Sequence, residues 1–275
     1  MTTAREVAEI IELWAPLSIQ ESWDNAGFCT GLPQTQVKGV LLCLDVTHDV
    51  IEEALALGTN MIISHHPLIF HGLKQLCGQD EVAKMIIKAL KHDLVIYSSH
   101  TNADKVEVGV SGLMAKMLDL QDVKILNPDS HHTPVTSNVT SVSAVATPVG
   151  LGMVGNLPSP QETHSFLQTV KQIFKIPCLR VSPLTVQTIR RVAVCGGSGS
   201  SLIGQARERG ADIYLSGDFS YHHFFPTSGE MMIADVGHYE SEIGIVYQLA
   251  HLLSKKNLTF AVSITKHNTN PIHYF

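Results

Sequence analysis

Charged side chains are scarce in this 275-residue sequence, at 16%, and no basic tract or block of one sign occurs. A formal charge of −6 and a pI near 6.2 argue against a surface that grips nucleic acid or anionic lipid, and polyanion binding would need a local patch. No apolar run approaches the roughly 20 residues of a membrane span. Arg5, Glu6 and Glu9 fall where a signal peptide needs an apolar core, so a cytoplasmic protein is expected. The five cysteines, Cys29, Cys43, Cys77, Cys178 and Cys195, are odd in number and form no CxxC pair. They are expected to be reduced core residues rather than a disulfide framework. Low-complexity segments, a P-loop, a dinucleotide fingerprint and a nucleophile elbow with Ser-His-Asp order are all missing.

What remains is a chain that is 44% apolar, enough for one large core or two smaller ones. Apolar residues at helical spacing predict a helix from Thr3 to Trp14, then a buried strand in VKGVLLCLDV and a helix in DVIEEALALG that stops at Gly58. A strand in MIIS, a helix from about Asp80 to His92 and a strand in LVIYSSH follow. The polar, turn-rich PDSHHTPVTS (128–137) is the best boundary, giving an N-terminal α/β half over 1–127 and a C-terminal α/β half over 128–275. Small β-prone residues in TSVSAVATPVGLGMVG predict strands. Beyond them come a helix near Gln161 to Phe174, a strand RRVAVCG, a helix SSLIGQARERG, strands ADIYLSGD and MMIADVG, a long helix from Glu240 to Lys255, and a strand LTFAVSI. That final helix and strand are free to pack on the N-terminal half. Alternation of this kind implies a mixed or mostly parallel sheet covered on both faces, with binding residues at the carboxyl ends of strands.

The two halves resemble each other. ALALGTNMIISHH (54–66) lies over ARERGADIYLSGD (206–218), matching Ala54 with Ala206, Gly58 with Gly210 and Ser64 with Ser216. IYSSHTNAD reaches His100 and, four residues on, Asp104; IADVGHYESE reaches His238 and, four residues on, Glu242. The expected fold is therefore two similar α/β domains related by internal duplication, with a site in the cleft between them.

Imidazole and carboxylate are the usual ligands of first-row metals. His65 and His66 end an apolar strand, and adjacent side chains in extended backbone point to opposite sides, so two separate ions suit them better than one. His238 and Glu242 share a face if that segment is helical, as do His100 and Asp104 if HTNAD coils. For each histidine the bland alternative is a capping or hydrogen-bonding role. His131 and His132 form a similar pair in a polar loop and read as solvated.

WDNAG (23–27), LDVT (44–47), ISHHPLIF (63–70), SHTNAD (99–104), VCGGSG (194–199), SGDFSYHHFF (216–225), GHYESE (237–242) and NTNP (268–271) resemble, in order, the blocks of the Nif-three-like dinuclear-metal family, also called GTP cyclohydrolase I type 2 homologues. The resemblance implies two divalent cations per subunit, among Zn, Mn, Fe or Co, held by His65, His66, Asp104, His238 and Glu242, with Glu242 bridging. It implies His100 beside them, two α/β domains and a toroidal homohexamer. Some members carry an extra domain inserted midway, and this chain is similar to the short form.

CGGSGSS, after a strand and before a helix, suits either a phosphate-binding turn or simply a tight turn. His222 matches a family position and is expected to line the cleft; Tyr221 precedes it, and His223 reads as structural. Asp24 and Asp45 are expected behind the ligands, Asp45 alternatively capping the next helix. The function expected is a divalent-metal-dependent hydrolase acting on a small molecule, a nucleotide or phosphoester, with His100 and His222 as the candidate catalytic residues. The alternative is a non-catalytic metal-binding or partner-binding ring.

Overall fold

A computed structural model describes residues 2–78, 80–129, 148–225, 231–256 and 258–275. In chain order the helices are α1 (Ala4–Glu12), α2 (His48–Ala56), α3 (Glu81–Lys91), α4 (Thr101–Asp104), α5 (Val110–Met117), α6 (Thr163–Phe174), α7 (Ile203–Glu208), α8 (His238–Glu242) and α9 (Gly244–Ser254). The strands are β1 (Gly27–Thr30), β2 (Gly39–Cys43), β3 (Met61–Ser64), β4 (Val95–Ser98), β5 (Gln121–Pro128), β6 (Gly150–Glu162), β7 (Arg180–Val181), β8 (Thr188–Ser198), β9 (Ile213–Gly217), β10 (Met232–Asp235) and β11 (Ala261–Ile264).

The chain divides into two compact units, one of residues 1–103 with 243–275 and the other of residues 104–242. It therefore crosses between units twice, immediately before Asp104 and immediately after Glu242, not at residue 127, which lies inside β5. From residue 130 onward the polar stretch that suggested the boundary, with the pair His131–His132, is outside the described residues, as is the first part of the β-prone segment after it.

The first unit is built on a five-stranded sheet in the order β1-β4-β3-β2-β11, parallel except for β1 against β4. Every residue of β2, β3 and β4 is buried, which is what continuous apolar runs covered on both faces require. Leu41, Cys43, Ile62 and Ile96 pack with Val50, Ile51 and Ala54 of α2 and Met85, Ile86 and Ala89 of α3. α9 packs on β2 and β11, and β11 pairs with β2, so the last helix and strand belong to this unit. Helix starts follow side-chain caps: Thr3 and Glu6 form a reciprocal box at α1, Thr47 caps α2 and Asp80 caps α3.

The second unit carries a six-stranded mixed sheet, β5-β6-β8-β9-β10-β7, in which β8, β9 and β10 run parallel and the other pairs antiparallel. Alternation along β8 divides its faces: Val192 and Val194 join Phe166, Leu167 and Val170 of α6, while Ala193 and Cys195 join Ala206 of α7 and Tyr214. The long helix expected from Glu240 is two helices, α8 and α9, separated at Ile243, where the chain also passes from one unit to the other. Among the described residues, no helix is long and apolar enough to cross a membrane.

Candidate metal centre

In the first unit, β3 ends at Ser64 and β4 at Ser98, two parallel neighbours whose last residues are in register. Their extensions carry His65, His66 and His100 to the same sheet edge. The three rings pack with centroids 5.0, 5.3 and 5.4 Å apart. One ligand atom from each lies within 4.8 Å of the others.

Each ring is held from behind. His65 Nδ1 is 2.8 Å from the Ser99 carbonyl, His66 Nδ1 is 2.7 Å from Asp45 Oδ1, and His100 Nδ1 is 2.8 Å from Asp24 Oδ1. A carbonyl or carboxylate on Nδ1 makes that nitrogen the N–H and leaves Nε2 with its lone pair, which suits a divalent cation. Asp45 serves His66 and does not cap α2, a role taken by Thr47. Asp24 also accepts the Thr101 N–H at 3.0 Å and the Thr101 hydroxyl. Burial pushes Asp24 up, but the hydrogen bonds from His100 and Thr101 outweigh it and hold the carboxyl down at about 2. Trp23 and Phe70, both exposed, set their rings 6.2 Å from His100 and 5.9 Å from each other.

In the second unit, Val236 and Gly237 lead from β10 into α8, whose first residue is His238 and whose last is Glu242. The spacing of four brings His238 Nε2 to 3.1 Å from Glu242 Oε2, and Glu242 is only 3% exposed. Behind His238, Asp218 Oδ2 lies 2.7 Å from Nδ1. Burial disfavours charge on His238, but hydrogen bonds to Asp218 and Glu242 and their negative charges prevail, raising its pKa to about 10. Asp218 is held below the usual carboxylate range, chiefly by the His238 hydrogen bond. Burial, with the charges of Asp104 and Glu242, pushes the Cys195 thiol up to about 12. Both carboxylates thus act on one point at the end of β8.

The glycines of CGGSGSS pack against protein. A Cβ on Gly197, whose φ is +61°, would stand 2.1 Å from Glu242 Oε1, and one on Gly196 would stand 2.1 Å from Val110 Cγ1. Gly197 N–H donates to Ser241 Oγ at 2.9 Å, so this turn seats α8. α4 does coil over Thr101–Asp104. His222 is exposed on a short 3-10 turn over Tyr221–Phe224, its ring 5.3 Å from Tyr221 and 6.2 Å from Phe225, and His223 Nδ1 accepts from the Ser220 N–H. Cys43 and Cys195 are buried, but Cys77 and Cys178 are exposed, so the cysteines are only partly core residues; none is in a disulfide. Sequence inspection missed Asp218, although 218 lies over 66 in the aligned halves, and missed Gly197 and Ser241 as the seat of Glu242.

Comparison with known proteins places these features in context. The profile of the family described as Duf34/NIF3 (NGG1p interacting factor 3) matches residues 2–271. A Clostridium acetobutylicum protein named GTP cyclohydrolase 1 type 2 homolog is 31% identical over 276 residues, covering 98% of both chains. A Streptococcus pneumoniae protein of the same name is 31% identical over 280 residues, covering 98% of this chain and 99% of its own. A crystal structure of a Bacillus cereus protein related to NIF3 has the same fold, with TM-score 0.86 and 24% identity over 100% of this chain and 99% of that one. The chain belongs to the Duf34/NIF3 family.

Proposed function

We propose that this protein is a divalent-cation-dependent hydrolase with a dinuclear centre. Its ligands would be His65, His66, Asp104, His238 and Glu242, drawn from both units, with Glu242 shared between two ions and His100 beside them. The observation that carries this proposal is common to four imidazoles: His65, His66, His100 and His238 each have Nδ1 engaged by a carbonyl or carboxylate. That arrangement orients Nε2 for a metal. By contrast, His48 meets the exposed Glu81 through Nε2 rather than Nδ1, as a surface ion pair. Further support comes from covalent order, since Asp104 and Glu242 occupy the two points where the chain passes between units.

Internal duplication is part of the proposal. Three parallel strands recur in each unit, β2, β3 and β4 in one and β8, β9 and β10 in the other. A His-x-x-x-carboxylate follows the last strand of each set. The proposed assembly is a toroidal homohexamer in the cytoplasm.

Two bound divalent cations supply Lewis acidity toward a phosphoryl or carbonyl oxygen and lower the pKa of water toward neutrality. The chain contributes the rest. Asp24, Asp45 and Asp218 hold the imidazoles in the ligating tautomer, and the Trp23 and Phe70 rings cover one side of His100 from water. The proposed substrate is a nucleotide or other phosphoester, a class suggested by the names of the relatives.

The test is purified protein stripped by chelator, reloaded with Zn, Mn, Fe or Co, and offered GTP, phosphodiesters and phosphomonoesters. Turnover with at least one cation, lost in His65→Ala, is expected. Cation binding without turnover would instead indicate a metal-binding ring without catalysis, and absence of bound metal would overturn the centre itself.

A further inference from the structure

The NTNP segment near the C-terminus has so far found no role, and its geometry assigns one. β11 runs parallel to β2 with Ile264 opposite Leu42, and Thr265 N–H donates to the Leu42 carbonyl at 2.9 Å. The chain after β11 therefore travels beside the chain after β2, which contains Asp45.

Two anchors hold this segment down. Glu53 of α2, only 9% exposed, accepts the Thr265 hydroxyl at 2.5 Å and the Lys266 N–H at 3.3 Å. A carboxylate so buried needs these partners, because unpaired burial of charge is costly. Beyond it, Asn268 Oδ1 accepts the Asn270 N–H and Asn270 Oδ1 accepts the Ile272 N–H, each at 3.0 Å. The first of these consecutive side-chain turns encloses Thr269 and the second encloses Pro271, which has no N–H to satisfy. Coiled in this way, the segment aims the Thr269 hydroxyl at Asp45 Oδ2, 2.9 Å away.

Asp45 is thus shared: Oδ1 takes His66 Nδ1 at 2.7 Å and Oδ2 takes Thr269. Asp24 shows the same division, with Oδ1 on His100 and Oδ2 on Thr101, which immediately follows His100 in the chain. For His66 the equivalent donor comes instead from 224 positions beyond Asp45. A carboxylate with one oxygen unclaimed can rotate or engage its histidine through either oxygen, so the second donor settles the direction from which Nδ1 is gripped.

We propose that Thr269 is a positioning residue that orients His66 through Asp45, and that docking of the segment 265–270 is energetically coupled to cation binding at His66. By reciprocity, a cation that draws on an oriented His66 must also favour the docked segment. The proposal rests on His66 being a ligand, and its test separates the two ideas.

Zn2+ is titrated against a chromophoric competitor with the full-length protein, Thr269→Val and Thr269→Ser. Thr269→Val, which keeps the shape and loses the donor, is expected to weaken Zn2+ binding by about three- to tenfold, while Thr269→Ser stays within about twofold. Hydrogen exchange of the wild-type chain with and without Zn2+ should show slower exchange over 265–270 when the ion is bound. A merely structural Thr269 would lower the melting temperature of the metal-free variant and leave Zn2+ affinity unchanged, which would overturn the inference alone. Wild-type protein that binds no Zn2+ would overturn both the centre and the inference. If Thr269→Val does not fold, the exchange experiment decides by itself: unchanged exchange over 265–270 counts against the coupling.

Discussion

His238 stands between two carboxylates, its Nδ1 2.7 Å from Asp218 Oδ2 and its Nε2 3.1 Å from Glu242 Oε2, one helical turn further along α8. Metal-free, the ring is a cation over the whole neutral range, with its pKa raised to about 10. A divalent ion ligated by Nε2 must displace that proton.

The stability contributed by His238 in the metal-free protein follows from the raised pKa. It is fully present below the ordinary histidine value of 6.5 and is lost as pH rises through about 10. Denaturant unfolding of metal-free protein is expected to show stability that declines from pH 7 to 10, with a shallower decline in Asp218→Asn. Cation affinity should rise over the same range, and calorimetry in buffers of different ionisation enthalpy should detect proton release on binding. Identical pH profiles for wild type and variant would contradict this assignment.

Asp24 titrates in the opposite sense. Its folded pKa of about 2 lies below the usual 3.8, so its contribution is present above 3.8 and disappears as pH falls toward 2. Asp24→Asn is expected to destabilise the protein at pH 7, and the difference from wild type should close between pH 4 and 2 in acid-unfolding curves. The variant should also bind cations about 10- to 100-fold more weakly, because His100 loses the partner that holds its tautomer.

Gly197 and Gly210 have similar backbone angles, φ +61° and +67°, but different surroundings. A Cβ on Gly210 meets nothing within 4 Å, whereas one on Gly197 meets Glu242 Oε1 at 2.1 Å. Gly210→Ala should therefore cost only backbone strain, about 1 kcal/mol. Gly197→Ala should cost about 1–3 kcal/mol or more and displace Glu242, with cation affinity falling at least tenfold or so. Melting temperatures together with a Zn2+ titration of both variants would show whether strain and site damage separate in this way.

Trp23 offers a direct reporter, being one of two tryptophans and 6.2 Å from the His100 ring. Saturable quenching of its emission by Co2+ is expected, abolished in Trp23→Phe and weakened in His100→Ala. Quenching that grows linearly with Co2+ and is equal in all three proteins would show only collision at an exposed side chain.

Much of the architecture was legible in residue order. Continuous apolar runs and period-3.6 patterns marked β2, α2, β3, α3, β4, α6, β8, β9 and β10, because these elements bury whole runs or one clear stripe, and the run LTFAVSI marked β11 although none of its residues is fully buried. β1 and β7 escaped notice: Gly27–Thr30 and Arg180–Val181 are four and two residues long, too short to show a period, and both are antiparallel edge strands. The two-unit division was also misplaced, since a turn-rich stretch inside one unit looks in sequence like any linker, while the actual crossings lie in the short helical segments that carry Asp104 and Glu242.

Residue order by itself determined the kinds of donor available and their placement after strands, since imidazoles and carboxylates at strand ends need only local pattern to be recognised. It did not determine what stands behind each ring. Asp24 meets His100, Asp45 meets His66, Asp218 meets His238 and Thr269 meets Asp45 across 76, 21, 20 and 224 positions of chain. Such pairings leave no periodic trace, because a hydrogen bond depends on where separate strands bring two atoms within 3 Å or so, and only the registered sheets decide that.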